Sequence, residues 1–486
     1  MSPSPFGLEG RRVVVTGAGG GIGAALLAAF RGAGARILAC DRAGPALDAL
    51  EAEERLAFDL ADPAAIDEAA RALLNWVGCA VGGSGHETID RTLAALTPFA
   101  GAAQASVLGR SERLDILHTA LLNGISSHLL DFDDTHARAI HPSAPVLPAL
   151  LAYAEWKGIS GADLLHAFIL GVEAECRVGL SVYPEHHDIG WHITGTAGTF
   201  GAAAAIGKLI GLTEQQMTWA LGIAATQASG LQEVFGSMSK SLHPGRAAQN
   251  GMSAALLAKQ GFTSSERAIE APRGFGHVLS TKFDPTVVTH ELSEHYELSL
   301  NMYKPYACGL VVHAAIDGCL QLQQEHHLKP EDIDAIALTV CPRTLQLTGN
   351  KTPSTGLEGK FSVYHVAAAA IVFGIISESQ FSDACVLDPR VIALRARVTA
   401  TPDDKLERTQ ATVTIRLKDG RSVSRHIEHA LGTLGRPMRE ADLETKFRGL
   451  TEDVLGATQT SELIALCWSV ASLRDAGEIA RTAARK

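Results

Sequence analysis

The sequence has few aromatic residues and lacks long basic runs, paired cysteines and long apolar runs. Aromatic residues are only 5% of the 486 residues, and no long basic run offsets the net charge of −11, so nucleic acid is not an expected partner. The eight cysteines are scattered from Cys40 to Cys467 without a CxxC pair, which argues against zinc or iron–sulfur sites. No secretory leader opens the chain, and the longest apolar run, from Val366, is too short to span a bilayer. We therefore expect a cytoplasmic protein without a membrane segment.

The composition that remains is typical of a helix-rich metabolic enzyme. Hydrophobic residues make up 46% of the chain and charged residues 20%, with 47 glycines. A length of 486 residues predicts about two to four domains. Because the overall charge is negative, an anionic substrate would need a local cluster of cations.

The chain opens with a pattern of strand, glycine-rich turn and helix. The stretch VVVTGAGGGIGAALLAAF is followed by two further expected strands, the first of which ends at Asp41. Backbone N–H groups at such a helix start suit a pyrophosphate, and an acid after the second strand suits a ribose. Gly17, Gly21, Gly23 and Asp41 thus resemble the nucleotide site of short-chain dehydrogenases, over residues 1–64 only. This partial βαβαβ Rossmann-like fragment favours an NAD(P)-dependent oxidoreductase.

The rest of the dehydrogenase signature is not in place. Tyr153 and Lys157 fit YxxxK, but the upstream strand and serine are missing, so an ordinary amphipathic helix is the better interpretation. We expect the fragment to be an appendage of a different enzyme that uses no cofactor, with the oxidoreductase as the alternative function.

Beyond the fragment the pattern changes to long helices with small residues on their faces. Apolar residues at helical spacing predict one all-helical unit over residues 65–276. Residues 277–430 are mixed, with strands expected in DIDAIALTVCP, TQATVTIRL and RSVSRHIEHA and a hairpin turn at Asp419-Gly420. Helices resume over residues 431–486. We therefore expect a mainly α protein with a smaller α+β domain.

Two polar clusters occur near helix ends, where side chains can project from a rigid frame. LLDFDDTHARAIHPS carries Asp131, Thr135 and His141, but oxygen ligands and histidines without a fixed spacing do not predict a metal site. In YPEHHDIGWHITGTAGTFG, His192 precedes a Gly/Thr-rich helix start that suits an anion. The HH pair of residues 186–187 is interpreted as a solvated loop.

Two further clusters are cationic. SKSLHPGRAAQNG gathers Lys240, His243 and Arg246 at a helix start, whose dipole adds positive potential, so the cluster suits a carboxylate. NMYKPYACG places Lys304 close to Tyr306, and apolar aromatic neighbours can alter the proton affinity of a lysine. Each cluster alone is compatible with an ordinary surface, but four in one chain favour a common pocket.

The motifs LDFDDT…HPS, GWH, SKSLHPGRAAQNG, YKPYxCG and KFSVYH run in this order from about Ala69 to the C-terminus. With them the chain resembles the MmgE/PrpD family, which includes 2-methylcitrate dehydratases, cis-aconitate decarboxylases and iminodisuccinate epimerases. The resemblance implies an all-helical domain that the C-terminal helices complete, a smaller α+β lid and a homodimer. It also implies an active site lined by Asp131, Thr135, His141, His192, Lys240 and Lys304.

The chemistry that the resemblance implies is a cofactor-independent lyase or isomerase acting on a small di- or tricarboxylate. A proton is abstracted next to a carboxylate, and cations stabilise the enolate-like charge. His141 and His192 would transfer protons, and Lys240 and Lys304 would bind carboxylates. Asp131 and Thr135 would position these groups. Loss of water, loss of carbon dioxide and simple return of the proton remain alternatives.

Four further residues would bind the substrate. His243 and Arg246 belong to the SKSLHPGRAAQNG cluster, and Tyr364 and His365 belong to FSVYH. The family often has tyrosine where this chain has His365, with Tyr364 one residue earlier. This departure leaves the identity of the general acid open.

Overall fold

The computed structural model describes residues 12–16, 21–33, 35–41, 50, 54–57, 62–138, 140–290, 292 and 295–485. The fold is mainly helical, with 59% helix and a small sheet toward the C-terminus. This confirms the mainly α class expected from the sequence. Within the described residues, no helix combines the length and the apolar character needed to cross a membrane.

The N-terminal elements form a three-stranded parallel sheet in the order β1-β2-β3, with a small core of its own. They are β1 Arg12–Thr16, α1 Gly21–Gly32, β2 Arg36–Asp41 and β3 Glu54–Ala57. Gly17 lies outside the described residues, Gly21 and Gly23 belong to α1, and Asp41 ends β2. The Rossmann-like nucleotide site therefore stays a prediction.

The next part of the chain is an α-helical unit around one large apolar core. Its helices are α2 Pro63–Gly83, α3 Glu87–Leu96, α4 Ile116–Leu129, α5 Ser143–Lys157, α6 Gly161–Val182, α7 Glu185–Asp188, α8 Ile193–Thr196, α9 Gly198–Leu209, α10 Glu214–Ala225, α11 Ser239–Lys259, α12 Phe275–Val278 and α13 Thr286–Thr289. Helix α2 begins where Asp62 accepts from the N–H of Ala65, with Pro63 in the first turn. Helix α11 begins at Ser239 and continues through Pro244, which lies inside it.

Small residues let two helices of this unit approach closely. A Cβ atom on Gly124 of α4 would lie 2.6 Å from the Cα atom of Gly245 of α11. Only glycines permit this backbone contact. It brings the C-terminal end of α4, with His128, against the first turn of α11, with Lys240.

Two short antiparallel ladders tie loops to the helices. β4 Ala105–Ser106 pairs with β5 Arg113–Leu114, and β6 Thr135–His136 pairs with β7 Asn301–Met302. The second ladder joins segments that are more than 160 residues apart in the chain. It sets the segment that carries Lys304 beside the loop after α4.

The smaller domain is built on a four-stranded sheet in the order β11-β10-β8-β9. The strands are β8 Ile333–Val340, β9 Val398–Pro402, β10 Ala411–Leu417 and β11 Ser422–Ile427. Its helices are α14 His313–His326, α15 Pro342–Thr348, α16 Gly356–Gly359, α17 Val363–Phe373, α18 Asp383–Val386 and α19 Pro389–Arg395. The predicted hairpin turn is confirmed, with Gly420 at φ 89° between β10 and β11. Strand β9, which pairs in parallel with β8, was not expected from the sequence.

Three C-terminal helices pack back on the helical unit. They are α20 Glu440–Leu455, α21 Ala457–Trp468 and α22 Gly477–Ala483. Phe447, Leu463 and Ile479 lie in the same core as Trp76 of α2. These helices bring Lys446 of α20 against the loop after α4, where its Nζ donates to the carbonyl oxygen of Phe132.

Candidate active site

Three lysines hold the chain where it leaves α4, in the segment of residues 130–136 that we call the Asp131 loop. The carbonyl oxygens of residues 130, 131 and 132 accept, in that order, from Nζ of Lys360 at 2.7 Å, Lys304 at 3.0 Å and Lys446 at 2.6 Å. Carbonyls at the end of a helix lack helical partners, and cations are favourable there. The lysines come from three distant segments, so the loop is fixed by tertiary structure.

The carboxylate of Asp131 lies between two ammonium groups. Its Oδ1 accepts from Nζ of Lys240 at 2.8 Å and from Nζ of Lys304 at 3.1 Å. Burial opposes ionisation, but the two lysines outweigh it and hold the pKa of Asp131 well below its usual range. The residue has φ 52°, a left-handed conformation that is rare outside glycine and that occurs at functional sites. The Asp131 loop is therefore held in one arrangement by buried charges.

Asp133 orients two imidazoles. Its Oδ2 lies 2.8 Å from Nδ1 of His128 and 3.3 Å from Nδ1 of His141. Because a carboxylate can only accept, both rings carry their hydrogen on Nδ1. Nε2 of His128 accepts from Lys240 at 3.1 Å, and burial lowers the pKa of His128 to about 3. His128 is thus a neutral link between Asp133 and Lys240.

His141 is oriented a second time by the main chain. Its Nδ1 also lies 2.8 Å from the carbonyl oxygen of Asp134, and Nε2, which has no hydrogen-bond partner among the described residues, is the nitrogen that can exchange a proton. The carboxyl group of Asp134 accepts from Ser143 and from Asn301 of β7, each at 2.7 Å, and burial raises its pKa to about 6. The HPS motif and the β6–β7 ladder therefore fix the same histidine.

His192 lies on the other side of the site, stacked on His128 with 5.7 Å between ring centroids. Its Nδ1 is 2.8 Å from Nδ1 of His243, so one ring donates and the other accepts. Burial lowers the pKa of His192 well below its usual value and that of His243 to about 4. Both rings are therefore neutral, and Phe235 packs against His192 with ring centroids 5.0 Å apart.

Several of these groups line a cavity of about 120 Å³. Its polar lining comprises Asp131, Thr135, His141, His187, His192, Thr194, Lys240, Lys304, Thr348 and Arg408. Two of these are lysines, one is an arginine and one is a carboxylate. The cavity is therefore locally positive in a protein of net charge −11, which is what a polycarboxylate requires.

One group of side chains in the site has a spacing that a metal ion could use. The ligand atoms of His128, Asp133 and His141 lie within 4.8 Å of one another. Hydrogen bonding already explains this spacing, because both imidazoles donate Nδ1–H to Asp133. A cation would displace these protons and lie close to the ammonium group of Lys240, so the donor set does not fit a metal.

The structure brings together the six residues that the resemblance assigned to the site. All of them line the cavity: Asp131, Thr135, His141, His192, Lys240 and Lys304. His243 adjoins them through His192. Their roles in catalysis stay predictions.

Three other predicted binding residues do not line the cavity. Arg246 is exposed, and its Nη1 donates to Oε1 of Gln249 at 2.5 Å. Tyr364 and His365 are buried in α17, where Nε2 of His365 donates to the carbonyl oxygen of Gln380 at 3.0 Å. From FSVYH, it is Phe361 that reaches the cavity.

The histidine pair of α7 is not a solvated loop, and that expectation is wrong. His186 is fully buried, with its ring nitrogens 2.6 Å from the carbonyl oxygen of Leu279 and 2.8 Å from Oγ1 of Thr196. His187 lines the cavity and contacts Arg343. The pair is folded inward because the helical unit closes over it.

Sequence reasoning missed His128, Lys360, Lys446 and Arg408, and it gave no role to Asp133 although this residue lies in LDFDDT. His128 is hidden in a helical pattern, and Lys446 looks like one charge on a polar helix. A signal existed for Lys360, since it is the first residue of KFSVYH. Arg408 lies in a polar stretch, TPDDKLERTQ, that is typical of a surface loop.

Comparison with known proteins gives the family. The MmgE/PrpD N-terminal domain matches residues 54–288, and the MmgE/PrpD C-terminal domain matches residues 306–470. The chain belongs to the MmgE/PrpD family. The N-terminal match takes in β3 but neither β1 nor β2, so most of the parallel sheet lies outside the MmgE/PrpD region.

Curated MmgE/PrpD relatives align over most of the chain. A cis-aconitate decarboxylase of Homo sapiens is 28% identical over 428 residues, which are 84% of this chain and 88% of the relative. A cis-aconitate decarboxylase of Aspergillus terreus is 28% identical over 443 residues, 84% of this chain and 90% of the relative. A 2-methylcitrate dehydratase of Cupriavidus necator is 23% identical over 375 residues, which are 72% of this chain and 76% of the relative.

Proposed function

We propose that this chain is a lyase that acts on a small tricarboxylate with its own side chains, and that it releases carbon dioxide from a substrate of the cis-aconitate type. The observation that carries the proposal is a cavity in which Lys240 and Lys304 lie beside the imidazoles of His141 and His192. The alignments support the choice of reaction, because the cis-aconitate decarboxylases align over 84% of this chain and the dehydratase over 72%.

Decarboxylation of such a substrate needs one proton donor and a place for negative charge. The bond to the departing carboxylate breaks, and its electron pair shifts through the adjacent double bond to a carbon that bears another carboxylate. That carbon takes one proton, and carbon dioxide leaves. Fixed cations near the second carboxylate stabilise the charge that develops on it.

The side chains divide this work. His141 delivers the proton from Nε2, because its Nδ1 is held by Asp134 and Asp133, and Asp133 stabilises positive charge on the ring. Lys240 and Lys304 bind carboxylates while remaining tethered to Asp131. His192, which is neutral and desolvated, relays a proton.

Dehydration of a hydroxy-tricarboxylate is the second candidate, because the 2-methylcitrate dehydratase relatives favour it. It would use the same imidazoles, one to remove a proton next to a carboxylate and one to protonate the leaving hydroxyl. Epimerisation would need only the removal and return of a proton. The N-terminal fragment adds the NAD(P)-dependent oxidoreductase as an alternative from another class.

Incubation of the full chain in D₂O with cis-aconitate, methylcitrate and an aminodicarboxylate separates these reactions by NMR. We expect carbon dioxide and a dicarboxylate with one deuterium per turnover from cis-aconitate. Loss of water from methylcitrate would favour the dehydratase, deuterium exchange alone would favour an isomerase, and turnover only with NAD(P) would favour the oxidoreductase. Lys240→Ala serves as the inactive control, and no turnover of any tricarboxylate by the unaltered chain would overturn the proposal.

A further inference from the structure

Arg408 is the cation of the cavity that sequence reasoning did not find. It lies between β9 and β10, is half-buried, and lines the cavity together with Lys240 and Lys304. It also borders a larger neighbouring cavity of about 580 Å³, which Arg343 and His429 line as well. Arg408 therefore stands where the two cavities meet.

The guanidinium group of Arg408 has unused capacity for hydrogen bonds. One of its nitrogens, Nη2, donates to the carbonyl oxygen of Ala137, and no carboxylate pairs with it among the described residues. Carboxylate partners neutralise most arginines of the same domain: Arg343, Arg390, Arg416, Arg421 and Arg425. A guanidinium presents five N–H donors in a planar fork that matches a carboxylate.

The cations that face the cavity are not fully neutralised by protein carboxylates, so they can bind the carboxylates of a ligand. Lys240 and Lys304 share a single carboxylate, that of Asp131, so together they offer one uncompensated positive charge. Arg408 offers a second one, from a different part of the fold. Two uncompensated charges on separate elements suit a substrate whose carboxylates point in different directions.

We propose that Arg408 binds the carboxylate on the central carbon of the substrate, the one that neither departs nor adjoins the protonated carbon, and so selects tricarboxylates over dicarboxylates. This assignment rests on the proposed function, since it presumes a tricarboxylate in this cavity. The carbonyl oxygen of Ala137 occupies one nitrogen of the guanidinium, and the remaining N–H donors are available to a carboxylate. Arg408 thus acts in binding and specificity, while the proton transfer belongs to the imidazoles.

Two inert ligands test the assignment without turnover. Tricarballylate carries the central carboxylate, and glutarate is the same chain without it. We would measure the binding of both by calorimetry to the full chain and to Arg408→Gln, Arg408→Lys and the control Arg416→Gln, an exposed arginine of β10. Thermal unfolding of each variant checks the fold.

We expect Arg408→Gln to weaken tricarballylate about ten- to one-hundred-fold and to leave glutarate within about twofold, with Arg408→Lys in between and Arg416→Gln unchanged. With cis-aconitate, KM should rise and kcat should change little. Equal weakening of both ligands, or unchanged tricarballylate binding, would overturn the assignment. If tricarballylate binds selectively through Arg408 but no tricarboxylate is turned over, the assignment of Arg408 is supported and the proposed reaction is contradicted.

Discussion

The Asp131 loop and the arginine side of the cavity hold their charges differently. In the loop, Lys304 is 1% exposed and donates to both the main chain and the carboxylate of Asp131. On the other side, Arg408 is half-buried with one carbonyl partner, and Arg343 pairs with a half-exposed Asp188. Buried, cross-linked charges are rigid and costly to disturb, whereas exposed pairs contribute little to stability. This contrast agrees with the proposed division, in which the Asp131 loop serves the reaction and the arginine side selects the substrate.

The largest effect should come from removing the reactive groups beside the loop. We expect His141→Ala and Lys240→Ala to lower kcat by about 10²- to 10⁴-fold, because each removes proton transfer or charge stabilisation in the transition state. Steady-state kinetics with cis-aconitate measures the loss, and circular dichroism checks the fold. Lys259→Ala, an exposed lysine at the far end of the same helix as Lys240, is the matched control. Full activity in both site variants would contradict the assignment.

A smaller effect should follow when the loop is loosened without touching the substrate. In Lys446→Met, three acceptors lose their donor: Oδ1 of Asn75 and the carbonyl oxygens of Phe132 and Lys304. Unfolding in urea should show a loss of about 2–3 kcal/mol, and kcat should fall about tenfold to a hundredfold as Lys304 shifts.

Arg448→Met, two residues further along α20 and 40% exposed, is the control for that change. This substitution should change neither the free energy of unfolding nor kcat appreciably. Unchanged kcat in Lys446→Met would show that the loop keeps its geometry without this cap, and would weaken the contrast between the two sides of the cavity.

The pH dependence should follow the loop lysines. Burial lowers the pKa of Lys360 and of Lys446 to about 8, so both lose charge above that pH and the field at Asp131 becomes less positive. We expect kcat to fall on the alkaline side with an apparent pKa near 8, as measured in a pH profile.

Stability should move in the opposite direction. Between about pH 8 and 10.5 the folded lysine is neutral while the unfolded one binds a proton, so the free energy of unfolding rises with pH in this window. The free energy of unfolding of the unaltered protein, relative to that of Lys360→Met, should therefore rise by at most about 1.4 kcal/mol per pH unit. A difference that is flat or falls over this window would contradict a depressed pKa at Lys360.

The sequence could predict the parts of the fold and of the site that lie in contiguous motifs, but not the residues that remote segments bring together. The helices, the strand pair around Gly420 and the cavity residues Asp131, His141 and Lys240 lie in contiguous motifs, where local spacing and the family resemblance carry the information. Lys446 and Arg408 come from stretches that look like a polar helix and a surface loop. Their placement depends on how remote segments pack, and no local pattern contains that information.

The smallest effect should come from the N-terminal sheet, which has a core separate from that of the helical unit. If the sheet is an appendage, Asp41→Ala should leave kcat and KM within about twofold, and NAD(P) should not change turnover. Calorimetry with NAD and NADP measures binding directly. A three-stranded parallel sheet does not by itself form the crevice between two mononucleotide units that holds a dinucleotide, so a glycine-rich sequence alone is not expected to bind tightly. Tight binding that Asp41→Ala abolishes would assign the sheet a function of its own and end its standing as an appendage.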